Sequence, residues 1–174
     1  MPDAALAANA PAWFIAARHE IGTRELPENR GPDIRRYIAL AHCGAEGDPW
    51  CAIFANAMLE SVNVHGTRSA MARSFEHNAN FVRLNGPALG CIVTFWRGIK
   101  SQGLGHVGFY NGEDHGLIST LGGNESDMVR VEELASAART FGLSGCFWPK
   151  SVALPKVGKM PIQLASAKGS GKVT

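Results

Sequence analysis

Two residues of this chain, Cys51 and His106, have side chains that could act together as a nucleophile and a base. Cys51 follows Asp48, Pro49 and Trp50. Since Asp is a favoured N-cap residue and Pro suits the first helical position, the sequence predicts a helix from Pro49 with Cys51 in its first turn. The unpaired N–H groups and the dipole at a helix start stabilise an anion, which lowers the pKa of a thiol there. The sequence therefore indicates thiolate chemistry at Cys51, with a small buried core cysteine as the alternative.

A cysteine nucleophile needs a histidine base, and the base needs a polar group that orients its ring. His106 begins the strand-like run Gly-His-Val-Gly-Phe-Tyr at residues 105–110, where a neighbouring glycine allows close approach of another segment. A cleft position and a core position for His106 are equally compatible with this run. The next strand-like run, residues 116–121, leads into Gly-Gly-Asn, so a hairpin would return Asn124 to His106. Asn124 is therefore predicted to hold the imidazole, with a turn residue in the left-handed conformation as the alternative.

The remaining sequence predicts the elements that position these residues. Apolar residues recur at helical spacing in residues 11–21, 31–40 and 49–61, and a fourth helix is predicted over 69–80. In the nucleophile helix, the expected buried face contains Ile53, Phe54, Ala57 and Met58. After Gly86 and Pro87 the pattern changes to short apolar and aromatic runs separated by glycine. Helices followed by antiparallel strands predict an α+β fold.

The composition favours one enzyme-sized domain with its own hydrophobic core. The chain has 174 residues, of which 45% are hydrophobic and 18% charged. Its four cysteines form no CxxC pair, and the adjacent His42 and Cys43 would point in different directions on a helix. We therefore expect free thiols, no metal site and no cofactor.

The motifs occur in an order that resembles the papain-like peptidoglycan hydrolases of the NlpC and CHAP type, and especially a subgroup common in bacteriophages and prophages. The resemblance rests on Pro-Trp-Cys at a helix start, then Gly-His-Val-Gly-Phe-Tyr, then Gly-Gly-Asn-x-Ser-Asp. It covers about residues 16–149, including Gly-Thr-Arg-Glu at 22–25 and Phe-Trp-Pro at 147–149. One departure is Gly90-Cys91, where the family often has Gly-Asp, and Cys91 is expected to be a core residue.

The resemblance implies a papain-like fold in which N-terminal helices carry the nucleophile and pack on a C-terminal antiparallel sheet. It also implies that Cys51 is the nucleophile, His106 the general base and Asn124 the orienting residue. Because this superfamily varies the third position, the hairpin residues Glu125, Asp114 and His115 remain alternatives.

Two further residues are candidates for substrate binding. The resemblance places Glu25 near the cleft, where its carboxylate could hold a free amine of the stem peptide, with a solvated loop charge as the alternative. Trp50 could line the groove, although a large aromatic residue beside a helix start is more often part of the core.

The implied activity is hydrolysis of a peptidoglycan amide, as an N-acetylmuramoyl-L-alanine amidase or as a stem or cross-link endopeptidase. A phage endolysin or tail-associated lysin fits best. The alternatives are a thiol hydrolase or acyltransferase that acts on another amide or ester, and an inactive wall-binding or tail structural protein.

The termini suggest how such an enzyme would be delivered. Residues 1–10 lack a basic n-region, and no apolar run is long enough to span a membrane, so we expect cytoplasmic synthesis without a signal peptide or transmembrane segment. Phage-type delivery or incorporation in a virion would then bring the enzyme to the cell wall.

Residues 1–149 are expected to form the catalytic domain, and residues 150–174 a basic tail with five lysines and no acid. The tail is either solvated or a docking segment for phage tail or virion proteins, or a patch attracted to anionic wall polymer, lipid or nucleic acid, although no nucleic-acid-binding motif accompanies it.

Overall fold

Helices come first along the chain and an antiparallel sheet follows. The computed structural model describes residues 9–135 and 139–158. Within these ranges the α-helices are α1 (Ala12–His19), α2 (Pro32–Ala41) and α3 (Cys51–Ser61), and 3₁₀ turns cover Ala72–Glu76 and Lys100–Gln102. The strands are β1 (Phe81–Arg83), β2 (Ile92–Arg97), β3 (Gly105–Asp114), β4 (Leu117–Gly122), β5 (Arg130–Ala135) and β6 (Phe141–Pro149). They form a sheet of order β1-β6-β2-β3-β4-β5 in which every neighbouring pair is antiparallel. The predicted α+β class is confirmed.

Helix α3 is the centre of the core. Every residue from Cys51 to Leu59 is buried, and the helix packs against α1, α2 and β3. The prediction of a single buried face is therefore too narrow, since a helix that is apolar all round is enclosed by its neighbours. The functional consequence is that the start of α3 is held rigidly against the sheet.

The fourth helix predicted over residues 69–80 is wrong, because only the 3₁₀ turn Ala72–Glu76 forms there. The chain just before it is tied to the buried side chain of Asn56 in α3. The Asn56 amide accepts from the Thr67 N–H at 2.6 Å and donates to the Ser69 carbonyl at 3.1 Å. These bonds hold residues 67–69 in an irregular conformation, with φ +53° at Arg68, and this tertiary contact outweighs the local helical propensity.

The first residues after the predicted domain boundary lie against the domain. The Trp148 indole donates to the Ala153 carbonyl at 3.1 Å, and the Gly158 N–H donates to the Pro87 carbonyl at 2.8 Å. The rest of the predicted tail, residues 159–174, lies outside the described residues. A search of the described helices finds none with the length and apolarity needed to cross a membrane.

Candidate active site

Cys51 is the first residue of α3, two positions nearer the helix start than the sequence predicts. Trp50 is the N-cap residue, and Pro49 precedes the helix. The prediction that Asp48 caps the helix is wrong, because its carboxylate accepts from the Ala45 N–H at 2.9 Å and closes a preceding turn. At the first helical position, the Cys51 N–H has no helical carbonyl to bind. The thiol and this backbone donor thus lie together at the positive end of α3.

His106 is the second residue of β3 and lies opposite Phe95 of β2. The preceding residue, Gly105, has no room for a side chain. A Cβ atom at Gly105 would lie 2.0 Å from the Phe95 carbonyl oxygen and 2.8 Å from Cγ of Arg73. The imidazole is only 12% exposed, so strand pairing and burial together fix its position.

The structure joins three side chains in a row, Cys51, His106 and Glu125. The thiol of Cys51 is hydrogen-bonded to His106, and the Nε2 atom of His106 donates to Oε1 of Glu125 at 2.5 Å. Because Glu125 occupies Nε2, the Nδ1 atom is the nitrogen available to the thiol. This is the arrangement of nucleophile, base and orienting acid that thiol catalysis requires.

The pKa shifts of the pair favour a thiolate and an imidazolium. Burial alone would raise the pKa of Cys51, but the hydrogen bond and charge of His106, with backbone N–H groups of Val107 and Ala52, lower it. Burial alone would lower the pKa of His106, but its hydrogen bonds to Cys51 and Glu125 and their negative charges raise it to about 10. The cation and the anion stabilise each other in a site that excludes water.

The side chain that contacts the His106 ring is that of Glu125, one of the alternatives left open by the sequence, and not that of Asn124. Asn124 has φ +58°, so it is the left-handed turn residue of the alternative interpretation. Glu125 is 4% exposed, and its N–H donates to the Met128 carbonyl at 3.0 Å within the same turn. Asp114, another alternative, ends β3, about 25 Å along the strand from His106.

Two glycines let the loop with Glu125 approach the first turn of α3. A Cβ atom at Gly123 would lie 2.6 Å from both Cζ3 of Trp50 and Cβ of Phe54, and one at Gly122 would lie 2.9 Å from Oε1 of Glu125. Any side chain at Gly122 or Gly123 would therefore clash. With glycine at both positions, the loop lies close enough to α3 for Glu125 to reach His106.

Trp50 and Glu25, the predicted substrate-binding residues, instead bind each other. The Trp50 indole is fully buried, stacks on Tyr37 at 6.0 Å between ring centroids, and donates its N–H to Oε2 of Glu25. Oε1 of Glu25 accepts from the Asn29 N–H at 3.2 Å. The groove role of Trp50 is wrong, because it is a core residue beneath the nucleophile. Both oxygens of the half-buried Glu25 accept hydrogen bonds within the chain, so the side chain is tied to Trp50 and Asn29, and its binding of a substrate amine stays a prediction.

The segment with Glu25 also braces the loop that carries Glu125. It runs antiparallel to residues 127–129, with the Gly22 N–H bound to the Val129 carbonyl at 2.9 Å and the Val129 N–H bound to the Thr23 carbonyl at 2.8 Å. The Glu25 N–H donates to the Asp127 carbonyl at 3.2 Å. The Gly-Thr-Arg-Glu element therefore supports the site from outside.

The other cysteines take no part in the row of three side chains. Cys91 is fully buried, as the sequence predicts for a core residue, and it is hydrogen-bonded to Cys146. All four cysteines are free. Among residues 9–135 and 139–158, no cluster of three or more His, Cys, Asp or Glu side chains is arranged to hold a metal ion.

Comparison with known proteins adds no relative, because no family model, curated protein or solved structure matches this chain. The functional argument therefore depends on the site itself.

The pairing of the Cys51 thiolate with the His106 imidazolium determines how Cys51 reacts with iodoacetamide at different pH. The lowered Cys51 pKa extends the thiolate towards neutral pH, and His106 keeps its proton until its own pKa of about 10. The alkylation rate is expected to form a plateau across neutral pH and to rise again near pH 10, where the free thiolate is more nucleophilic. Measured rates between pH 4 and 11 test this.

The matched control for this titration is Cys51→Ala, in which the half-buried Cys43 remains. Burial and the charges of Asp48 and Glu60 raise the pKa of Cys43, so its alkylation is expected to begin only in alkaline solution. A single rise between about pH 8 and 9 for the wild type would mean an ordinary protonated thiol at Cys51.

Proposed function

We propose that this protein is a papain-like cysteine hydrolase that cleaves an amide bond of the peptidoglycan peptide. The single observation that carries the proposal is the row formed by Cys51, His106 and Glu125 at the start of the central helix. A buried cysteine with only a packing role needs no cationic histidine beside it, and a core histidine needs no buried carboxylate.

In the first step, Sγ of Cys51 attacks the amide carbonyl carbon and forms a C–S bond. The negative charge moves to the carbonyl oxygen, where the Cys51 N–H at the start of α3 is the available backbone donor. One such donor contributes about 3 to 4 kcal/mol to the transition state. The C–N bond then breaks as His106 gives its Nδ1 proton to the leaving amine, and a thioester remains.

In the second step, water hydrolyses the thioester. Neutral His106 takes a proton from the water, whose oxygen attacks the thioester carbon, and the thiolate of Cys51 leaves. Glu125 stays hydrogen-bonded to Nε2, so it keeps the ring oriented and stabilises the imidazolium whenever it forms.

The substrate class is supported by the order of the motifs, which resembles the NlpC and CHAP hydrolases. Phage-type delivery, as an endolysin or a tail-associated lysin, belongs to the same proposal. The bond is either the muramoyl to L-alanine amide or a peptide bond in the stem or cross-link, since one thiol mechanism serves all of them.

Digestion of purified sacculi tests the function and identifies the bond. The wild-type protein is expected to release soluble fragments, and protein alkylated at Cys51 with iodoacetamide is the matched inactive control. Mass spectrometry of the fragments, with labelling of new amino termini, separates the products. Glycan strands freed from intact stem peptides would identify an amidase, and shortened stems or split cross-links would identify an endopeptidase.

If the wild type releases nothing from sacculi, the peptidoglycan assignment is wrong. Thioester trapping with a panel of simple amide and ester substrates would then show whether the thiol acts on another acyl group. If the protein binds sacculi but reacts neither with them nor with the simple amides and esters, a wall-binding protein would be favoured.

A further inference from the structure

A second carboxylate, Glu132 of β5, lies beside the Glu125 that holds His106. The register of the sheet shows which face carries Glu132. Tyr110 of β3 lies opposite Thr120 of β4, which in turn lies opposite Glu132. Directly opposed residues point to the same face, and so do alternate residues of one strand. His106 and Glu132 therefore share one face of the sheet, and Glu125 lies between them, hydrogen-bonded to both.

One oxygen of Glu125 is bound to His106, and the carboxylate can accept a further donor. Its side chain is 5% exposed, and Oε1 is bound to Nε2 of His106. A buried carboxylate without partners for its remaining lone pairs is costly. The carboxyl of Glu132 supplies an O–H donor only while it keeps its proton, and two carboxylates in contact resist simultaneous ionisation. The contact therefore favours the protonated form of Glu132, whose pKa it raises.

We propose that Glu132 is a positioning residue of the active site: while protonated it donates to Glu125, and once ionised its negative charge sets the alkaline limit of the His106 imidazolium. This inference rests on the proposed thiol chemistry of Cys51 and His106, although not on the identity of the substrate. The hydrogen bond and negative charge of Glu125, together with partial burial, raise the pKa of Glu132, while Arg130 and His106 oppose this.

The charged and titratable groups that face Glu132 come from three elements. Glu125 approaches from the loop, His106 from β3, and Arg130 from β5 itself. The opposing residue of β4 is the neutral Thr120, whose hydroxyl lies 3.5 Å from the Glu132 carbonyl oxygen. Glu132 is half-buried on β5, so solvent reaches its side chain and its proton can exchange.

Glu132 acts on the site differently in its protonated and its ionised form. While Glu132 is protonated, the carboxyl pair has one negative charge, and its O–H holds Glu125 in place. When Glu132 ionises as the pH rises, a second negative charge appears near His106 and stabilises the imidazolium. Ionisation of Glu132 therefore moves the loss of the imidazolium to higher pH.

The test compares Glu132→Gln with Glu133→Gln. Both variants remove one negative charge from β5, but Glu133 is exposed and lies on the other face, opposite Ser119. We measure the iodoacetamide rate of Cys51 against pH, because this readout needs no substrate. In Glu132→Gln the alkaline rise is expected about 0.5 pH unit below that of the wild type. In Glu133→Gln it is expected within about 0.1 unit of the wild type, since an exposed charge on the far face is screened.

Equal profiles for the two variants would overturn the proposal, whatever the protein does to sacculi. A second measurement uses the wild type, so it does not depend on a folded variant. The ring resonances of His106, followed by NMR from pH 4 to 11, are expected to show one inflection as Glu132 ionises and another as His106 loses its own proton. A single inflection would also overturn the proposal. Failure on sacculi with two inflections would reject only the peptidoglycan assignment.

Discussion

Replacing Cys51 by alanine is expected to reduce the hydrolysis of sacculi by about 10⁴-fold or more, because no other group can form the thioester. The change removes one sulfur atom from a site that is 5% exposed, and the backbone of the variant keeps the same N–H at the helix start. The loss of stability is expected to be about 1 kcal/mol, as for other small buried truncations. Turnover and thermal unfolding, measured on the same preparation, separate the two effects.

The control is Cys146→Ala, which removes the same atom from a buried position in β6. Cys146 binds Cys91 and not His106, so activity is expected within about 3-fold of the wild type. If Cys51→Ala kept wild-type turnover, the thiol mechanism would be wrong, and if both variants lost activity equally, the loss would reflect folding rather than chemistry.

The elements that carry the site could be predicted because their patterns are local. Pro32 and Asp33 at the start of α2 lie in the first helical turn, as expected from their preferences. The strand run from residue 105 becomes β3, and His106 stands near its start. These signals depend on neighbours in sequence, and so one sequence is enough to find them.

Long-range contacts explain the errors. Residues 69–80 have the spacing of a helix, but the amide of Asn56 takes the backbone groups of Thr67 and Ser69 that lead into it. Asp48 has the chemistry of an N-cap and instead closes a turn with Ala45. In both cases a tertiary hydrogen bond outweighs a local preference that is worth about 1 kcal/mol.

The prediction that Asn124, and not Glu125, contacts His106 also failed because of structure that the sequence does not show. The sequence places the third residue at the end of the hairpin correctly to within one position. Asn124, Ser126 and Asp127 all have positive φ, and this succession of left-handed residues determines which side chain turns inward. The available signal was the acid itself, since a carboxylate can stabilise the imidazolium that accompanies a thiolate. The Trp50 to Glu25 contact carried no comparable signal, because it joins residues 25 positions apart.

The second large effect is expected for Glu125→Ala, which should lower turnover by about 100-fold or more. Removal of the carboxylate takes away the hydrogen bond to Nε2 that fixes the ring, and also a charge that, together with Cys51, raises the His106 pKa to about 10. The imidazolium is then lost at lower pH, which weakens both thiolate formation and protonation of the leaving amine. Glu125→Gln keeps an acceptor for Nε2 without the charge, so its turnover is expected to lie between those of the wild type and Glu125→Ala. The measurements are turnover on sacculi between pH 5 and 10 and thermal unfolding of each variant.

The matched control is Asn124→Gly, which deletes the adjacent side chain. Glycine accepts the φ of +58° found at this position, whereas alanine would add backbone strain and obscure the comparison. Turnover of Asn124→Gly is expected within about 3-fold of the wild type, with an unchanged alkaline limb. The reverse outcome, a large loss in Asn124→Gly with little change in Glu125→Ala, would restore Asn124 as the orienting residue. It would also mean that the loop rearranges when substrate binds, because the packing of Gly123 on Trp50 and Phe54 fixes Glu125 as the inward side chain.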